Sequence, residues 1–337
     1  MIRPFKVALV GLVRSELPDW VAGQFEDEQI DFVYRECQTR EELAETAGDA
    51  DFVWVYGESK SVSEDNLDLL LRCGAILRSG SGTDNIPVQA ATELGIIVCN
   101  TPSGLSDEVS DHAFALMFGV LRCVALQDRT LRSGVWDPWL APTKILSGRT
   151  VGLVGFGNIA RLMVRKLSGF DVEVIVHDPA VPNVEMKNQG VESVEFDDLF
   201  SRSDIVSLHC PLLDSTYQLI GERELKLMGP EAILINTSRG PVVDEAALIR
   251  ALQNGWIAAA GIDVFEEEPA DLESNPLFKM DNVVFTPHNA GLSDVSNEKL
   301  WKLSVETAID LANGFWPRSY VNPDVKPKWE LRNVIEN

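Results

Sequence analysis

Long hydrophobic runs are missing from this chain. No uninterrupted apolar stretch approaches the ~20 residues of a membrane-spanning helix. The early run Val7-Ala8-Leu9-Val10-Gly11-Leu12-Val13 is short and reads as a buried strand, not as a secretory signal. Positive charge is also scarce: 29 Lys and Arg stand against 52 Asp and Glu, a net charge of −23. That imbalance argues against nucleic acid and anionic membrane surfaces as partners, since both would be repelled. An anionic substrate would need locally gathered positive charge. Cysteines are few and odd in number, and Cys37, Cys73, Cys99, Cys123 and Cys210 form no C-x-x-C pair. This is the usage of a reducing compartment, and the protein is expected in the cytoplasm. The four histidines, His112, His177, His209 and His288, lack metal-ligand spacing, so no metal site is expected. Short internal repeats and low-complexity segments are absent as well. What remains is a chain of 337 residues, 45% hydrophobic and 24% charged, sized for two domains.

The pattern along the chain is α/β. Strands are predicted at 6–13, 30–35, 51–56, 75–78 and 96–99. Helices are predicted at 17–25, 40–47, 63–72 (with Ser63 as N-cap) and 86–94. Strands alternating with helices at this rhythm predict a doubly wound parallel sheet. Residues 104–132 then read as one long helix, followed by a loop carrying Trp136 and Trp139. A second series follows, with strands at 204–208, 232–236, 258–263 and 283–286 and helices at 196–201, 222–228, 244–253 and 297–313. A polar tail from Gly314 is predicted to return to the first domain.

The second series opens on the stretch around which the chain is organised. Thr150-Val151-Gly152-Leu153-Val154 leads into Gly155-Phe156-Gly157-Asn158-Ile159-Ala160, a helical run, and Val174-Ile175-Val176-His177-Asp178. Gly155 permits a tight turn, and Gly157 lets the backbone approach a pyrophosphate. Asn158 and Ile159 open a helix whose unpaired N–H groups and positive dipole end suit phosphate. Asp178 lies 21 residues after Gly157, near the ~20 expected of the carboxylate that binds the ribose hydroxyls. The whole context predicts a Rossmann domain holding NAD. A carboxylate there disfavours the extra phosphate of NADP.

Three later segments bring reactive groups to strand ends, where open α/β sheets bind their ligands. They are Asn236-Thr237-Ser238-Arg239-Gly240, Asp263-Val264-Phe265-Glu266-Glu267-Glu268-Pro269 and Thr286-Pro287-His288-Asn289. A guanidinium binds a carboxylate with two parallel hydrogen bonds. An imidazole moves a proton near neutrality, and a neighbouring carboxylate orients it and favours its charged form. With a nicotinamide hydride donor, these types suit reduction of a 2-oxo acid. His112 and His209 have no partner that can be named from the sequence, and packing is the expected role of both. Trp136 and Trp139 are expected to pack or to form an interface.

These segments, together with Arg78-Ser79-Gly80-Ser81-Gly82-Thr83-Asp84-Asn85, Val109-Ser110-Asp111-His112-Ala113 and His209-Cys210-Pro211-Leu212, resemble the D-isomer-specific 2-hydroxy acid dehydrogenase family over nearly the whole chain. The resemblance implies that Arg239, Glu268 and His288 are catalytic, with Glu268 selected from the acidic run by its spacing of five from Asp263. It implies that Asp263 sits by the nicotinamide amide and that Cys210 and Thr237 line the cofactor cleft. Ser79, Gly80 and Ser81, with Arg239, would hold the substrate carboxylate. It further implies a Rossmann NAD-binding domain, 104–291, inserted in a flavodoxin-like substrate domain, 1–103 and 292–337, and a homodimer formed through the 104–132 helix. Several departures narrow the substrate. The loop Tyr56-Gly57-Glu58-Ser59-Lys60 lacks the arginine used on the phosphate by phosphoglycerate-type members, and no regulatory domain follows residue 337 in this sequence. Glu268 replaces the glutamine of formate dehydrogenases. Asn289 stands where many relatives carry an aliphatic residue, which bears on pocket shape. A rival reading is an NAD-responsive corepressor-like scaffold with little turnover, because fold alone does not fix function.

Overall fold

The computed structural model describes residues 3–11, 17–57 and 59–333. The chain divides into two compact units, Met1–Leu105 with Ser293–Asn337, and Ser106–Leu292. The predicted strand residues 12 and 13, and Glu58 in the loop after the third strand, lie outside the described residues.

The first unit is built from β1 (Lys6–Val10), α1 (Asp19–Asp27), β2 (Asp31–Arg35), α2 (Arg40–Ala47), β3 (Phe52–Val55), β4 (Ala75–Arg78), α3 (Val88–Glu93) and β5 (Ile97–Asn100). Its sheet is parallel throughout, in the order β2-β1-β3-β4-β5, the flavodoxin-like winding. β3, β4 and β5 are buried at every position, because helices and the returning tail cover both faces. α2 starts at a capping box in which Thr39 and Glu42 satisfy each other's backbone N–H groups. The helix predicted over 63–72 is a short 3₁₀ turn, Glu64–Leu69, entered by a bond from the Ser63 N–H to Asn66 Oδ1 at 2.9 Å. The edge of β5 is closed by the tail. Tyr320 bridges Cys99 antiparallel, and Asn322 Oδ1 accepts the Val98 N–H at 2.9 Å.

The second unit begins with α4 (Ser106–Leu121) and α5 (Val124–Arg132). The single long helix expected over 104–132 is thus two helices bent by 62°. The break falls at Cys123, whose φ of +51° is left-handed. Other partners take the carbonyls released there: Leu121 O accepts the Lys144 N–H at 2.7 Å, and Arg122 O accepts Gln127 Nε2 at 2.6 Å. α4 buries Ala113, Leu116, Met117 and Val120, whereas α5 buries no side chain. Among the described residues, no single helix is long and apolar enough to cross a membrane.

There follow β6 (Thr150–Val154), α6 (Asn158–Leu167), β7 (Glu173–His177), α7 (Asn183–Asn188), β8 (Glu192–Ser193), α8 (Phe196–Arg202), β9 (Ile205–Leu208), α9 (Glu222–Met228), β10 (Ile233–Asn236), α10 (Glu245–Asn254), β11 (Ala259–Ile262) and β12 (Val283–Phe285). The sheet is again all parallel, in the order β12-β11-β10-β9-β6-β7-β8. The winding reverses at β6, so the crevice at its carboxyl end is the switch point where such sheets take ligands. Asp244 caps α10 by accepting the Ala247 N–H, and Gly255, at φ +67°, ends it.

In the first unit, the last helix of the chain, Ser296–Ala312, is fastened to the sheet by aromatic packing. Trp301 stacks on Tyr56 with centroids 4.6 Å apart and meets Trp54 edge-on at 5.0 Å. Replacing Trp301 with Ala removes both contacts and is expected to destabilise the unit by about 3–5 kcal/mol. Denaturant unfolding followed by circular dichroism measures it. A loss under about 1 kcal/mol would show that the pair does not anchor the helix.

Candidate active site

The glycine turn joins β6 to α6. Gly155 has φ +93°, and a Cβ there would stand 2.9 Å from Cys210 N and His209 C, so only glycine fits. A Cβ at Gly157 would meet nothing within 4 Å, which leaves the backbone open to close approach. Asn158 and Ile159 form the first turn of α6, where N–H groups have no partner within the helix. Asp178 follows β7 directly. Its Oδ2 accepts the Phe156 N–H at 2.7 Å and its Oδ1 accepts the Ala180 N–H at 2.8 Å, which pins the carboxylate against the turn. Beside it lies a cavity of about 460 Å³ lined by Asp178, Pro179, Val181, Asn183, Ser193 and Glu195. Thr237 Oγ1 is buried with no hydrogen-bond partner among the described residues. Burial pushes the Cys210 thiol up to about 11, so it is a small apolar liner and not a reactive thiolate. A bare glycine approach, a helix N-terminus, a fixed acid and an orphaned hydroxyl together fit a dinucleotide.

The reactive side chains leave three adjacent strands. After β10, Asn236 Oδ1 accepts the N–H and the hydroxyl of Ser238, and its Nδ2 donates to Arg239 O at 3.0 Å. This turn projects Arg239, whose Nη1 donates to Ser238 O at 2.8 Å. Gly240 lies so close to the loop after β11 that a Cβ would reach 1.8 Å from Phe265 O. In that loop Glu268 Oε1 accepts the Phe265 N–H at 2.9 Å, and Oε2 lies 2.5 Å from His288 Nδ1. Partial burial pushes the Glu268 carboxyl up. The bonds from His288 and from the Phe265 N–H, with the Arg239 charge, outweigh it and hold the group below its ordinary range. An ionised Glu268 accepts from Nδ1–H, which assigns proton exchange with a substrate to Nε2. Arg239, Glu268 and His288 are thereby gathered at neighbouring strand ends.

Asp263 stands beneath this group. It is fully buried, and its Oδ1 accepts the Asn289 N–H and its Oδ2 the Ala290 N–H, each at 3.0 Å. Its carbonyl accepts the His288 N–H at 2.8 Å. His288 itself has φ +51°, uncommon for a residue with a side chain, and is held there by these bonds. Thr286, given no role by the sequence, donates its hydroxyl to Asp263 Oδ1 at 2.5 Å. His112 Nε2 lies 2.8 Å from that same hydroxyl. The partner of His112, which could not be named from the sequence, is thus Thr286. The signal that could have found it is the pairing of a polar helix residue with a threonine at a strand end. His209 also has one, Ser207 Oγ at 3.0 Å, and burial pushes its imidazole down to about 4, keeping it neutral.

In the first unit the Ser79 and Gly80 amides are both engaged. The Ser79 N–H donates to Val55 O at 3.1 Å, and the Gly80 N–H donates to Thr101 Oγ1 at 2.7 Å. The Ser79 hydroxyl is tied to Trp54 Nε1 at 2.7 Å. Both amides are occupied within the fold, so the expectation that Ser79 and Gly80 donate to a substrate carboxylate is not met by their backbone N–H groups.

Comparison with known proteins agrees with this geometry. Residues 114–290 match a family model described as D-isomer specific 2-hydroxyacid dehydrogenase, NAD binding domain. A glyoxylate reductase of Thermococcus litoralis is 44% identical over 251 residues, 72% of this chain and 75% of that one. Among solved structures, an NADPH-dependent glyoxylate/hydroxypyruvate reductase from Sinorhizobium meliloti, in complex with NADP and malonate, superposes with a TM-score of 0.82. It is 29% identical, covering 98% of this chain and 100% of that one. The D-lactate dehydrogenase of Lactobacillus jensenii with NAD+ gives 0.75 at 27% identity, covering 94% and 99%. None of these likenesses supports a corepressor scaffold. The chain belongs to the D-isomer specific 2-hydroxyacid dehydrogenase family and is an NAD(P)-dependent oxidoreductase that interconverts 2-oxo acids and D-2-hydroxy acids.

Proposed function

We propose that this chain reduces a small 2-oxo acid, glyoxylate foremost, with NADH as the preferred cofactor. The observation that carries the chemistry is the 2.5 Å pairing of His288 Nδ1 with Glu268 Oε2 at the strand end next to Arg239. The substrate assignment leans on the 44% identity to a protein named glyoxylate reductase. Arg239 binds the substrate carboxylate through its planar fork. Gly155, Gly157, Asn158 and Ile159 receive the pyrophosphate, Asp178 the ribose, and Cys210 and Thr237 the nicotinamide side; Asp263, expected there from the sequence, is fully buried with both carboxylate oxygens occupied within the fold and is left out of the cofactor contacts. The bound cofactor supplies the hydride that reaches the carbonyl carbon. Glu268 keeps the His288 ring oriented, and His288 gives the Nε2 proton to the carbonyl oxygen as charge develops there.

Cofactor preference follows from charge. A 2′-phosphate would meet Asp178, and Glu195 lines the same cavity. Like charges close together destabilise each other, and no Lys or Arg is among the residues lining that cavity.

The protein acts as a homodimer in the cytoplasm. The dimer is supported by an apolar surface on α5 and the loop after it, where Trp136 is 86% and Trp139 90% exposed, with Leu131, Val135 and Ile145 also exposed. Clustered apolar surface of this kind marks interaction sites. The cytoplasm is supported by the five free thiols.

Three measurements test these statements. His288→Ala should lower kcat for glyoxylate reduction by roughly 10²–10⁴ while NADH still binds; near-normal turnover would remove His288 from the mechanism. Wild-type kcat/KM should favour NADH over NADPH by at least tenfold, ~1.4 kcal/mol, and equal efficiency would refute the charge argument. Sedimentation equilibrium should give a dimer that the Trp136→Ser/Trp139→Ser double variant dissociates. A monomeric wild type would contradict the proposed interface.

A further inference from the structure

We propose that His112 is a positioning residue for the acid–base histidine, acting through Thr286 and Asp263. The inference rests on the reading of His288 as the proton donor. A threonine hydroxyl has one proton. Thr286 Oγ1 lies 2.5 Å from Asp263 Oδ1 and 2.8 Å from His112 Nε2. His112 Nε2 and Asp263 Oδ1 are 3.6 Å apart, too far for a direct hydrogen bond. The proton of Thr286 therefore goes to the carboxylate, and the hydroxyl oxygen accepts from His112 Nε2–H. The order is fixed: His112 donates to Thr286, and Thr286 donates to Asp263.

Asp263 passes this constraint to the reacting group. Its two carboxylate oxygens hold the N–H groups of Asn289 and Ala290, and its carbonyl holds that of His288. Two consecutive residues, Asn289 and Ala290, thus depend on the orientation of one buried carboxylate, and the residue before them, His288 at φ +51°, hangs on the backbone carbonyl of the same aspartate. Thr286 and the Asn289 N–H share Oδ1, so a rotation of the carboxylate that loosens one loosens the other. His288 is then displaced relative to Glu268, only 2.5 Å away.

The helix that carries His112 is seated rigidly for this purpose. A Cβ at Gly261 of β11 would be 3.0 Å from Leu116 Cβ and 3.5 Å from Val120 Cγ2, and one at Gly119 would lie 3.7 Å from Val284 of β12. Missing side chains on both partners bring α4 down onto the two strands that lead to Asp263 and Thr286. His112, four residues before Leu116, stands on the same face of the helix. The side chain of His112 is 20% exposed and does not need to touch substrate to exert this effect.

The test uses His112→Leu, His112→Gln, Thr286→Val and the Leu/Val double variant, with His288→Ala as control. Measured quantities are kcat with a 2-oxo acid and NADH, the NADH dissociation constant and the melting temperature. His112→Leu should lower kcat by roughly 10- to 100-fold, the scale of a small misplacement of a reacting group, with NADH affinity within about twofold of wild type. His112→Gln keeps an N–H near the Nε2 position and should restore most of kcat. Thr286→Val should match His112→Leu, and the double variant should be no worse than either, because the links are in series. A residue that only packs would instead lower the melting temperature with kcat per folded molecule unchanged. The proposal is overturned if His112→Leu turns over normally, if Gln is as impaired as Leu, or if the two losses add. Should His112→Leu not fold, Thr286→Val decides alone, and normal kcat overturns the proposal. Normal turnover by His288→Ala would overturn the acid–base reading separately.

Discussion

The site at the ends of β10, β11 and β12 depends on one fully buried carboxylate. Asp263 is fully buried, and each of its oxygens is satisfied by hydrogen bonds from the segment carrying His288 or from Thr286. Burying an unpaired carboxylate is costly, so these donors cannot be removed lightly. The cost of disturbing them holds His288 in a left-handed conformation that its own backbone does not favour. Glu268, fixed by the Phe265 N–H, then meets the ring at a set angle and distance. The geometry of the Glu268–His288 pair is thus inherited from a stability requirement one layer below it.

The same parallel sheet separates two tasks. Strands β6, β7 and β9 end at the glycine turn, Asp178 and Cys210, the residues proposed to hold the cofactor. Strands β10, β11 and β12 end at Arg239, Glu268 and His288. Neighbouring strands lie about 4.8 Å apart, so the sheet itself sets the spacing between these two groups of side chains. Loops need only shape the turns, as Asn236 does for Arg239 and Gly240 does by packing against Phe265.

Much of this was legible in the order of residue types. Alternating strands and helices announced two parallel sheets, and the turn from Gly155 to Asp178 announced the dinucleotide. The strand-end placement of Arg239, Glu268 and His288 followed from short-range pattern. What stayed hidden was long-range. His112 and Thr286 are 174 residues apart, and no local periodicity reports such a contact. The break at Cys123 was invisible because the apolar repeat continues through it, while the carbonyls that change partners find them at Lys144 and Gln127. The amides of Ser79 and Gly80 looked available because their acceptors, Val55 O of β3 and Thr101 Oγ1 just after β5, lie far along the chain. The 3₁₀ turn at Glu64–Leu69 shows the limit of a short apolar pattern in choosing a helix type.

Oxidation of NADH by the wild-type protein with a panel of 2-oxo acids, followed by chiral analysis of the product, tests the central claim most directly. Glyoxylate should be reduced with one NADH consumed per product. Any longer 2-oxo acid that is accepted should give the D-2-hydroxy acid. No NADH oxidation with any member of the panel, or an L-product, would contradict the assignment of Arg239, Glu268 and His288.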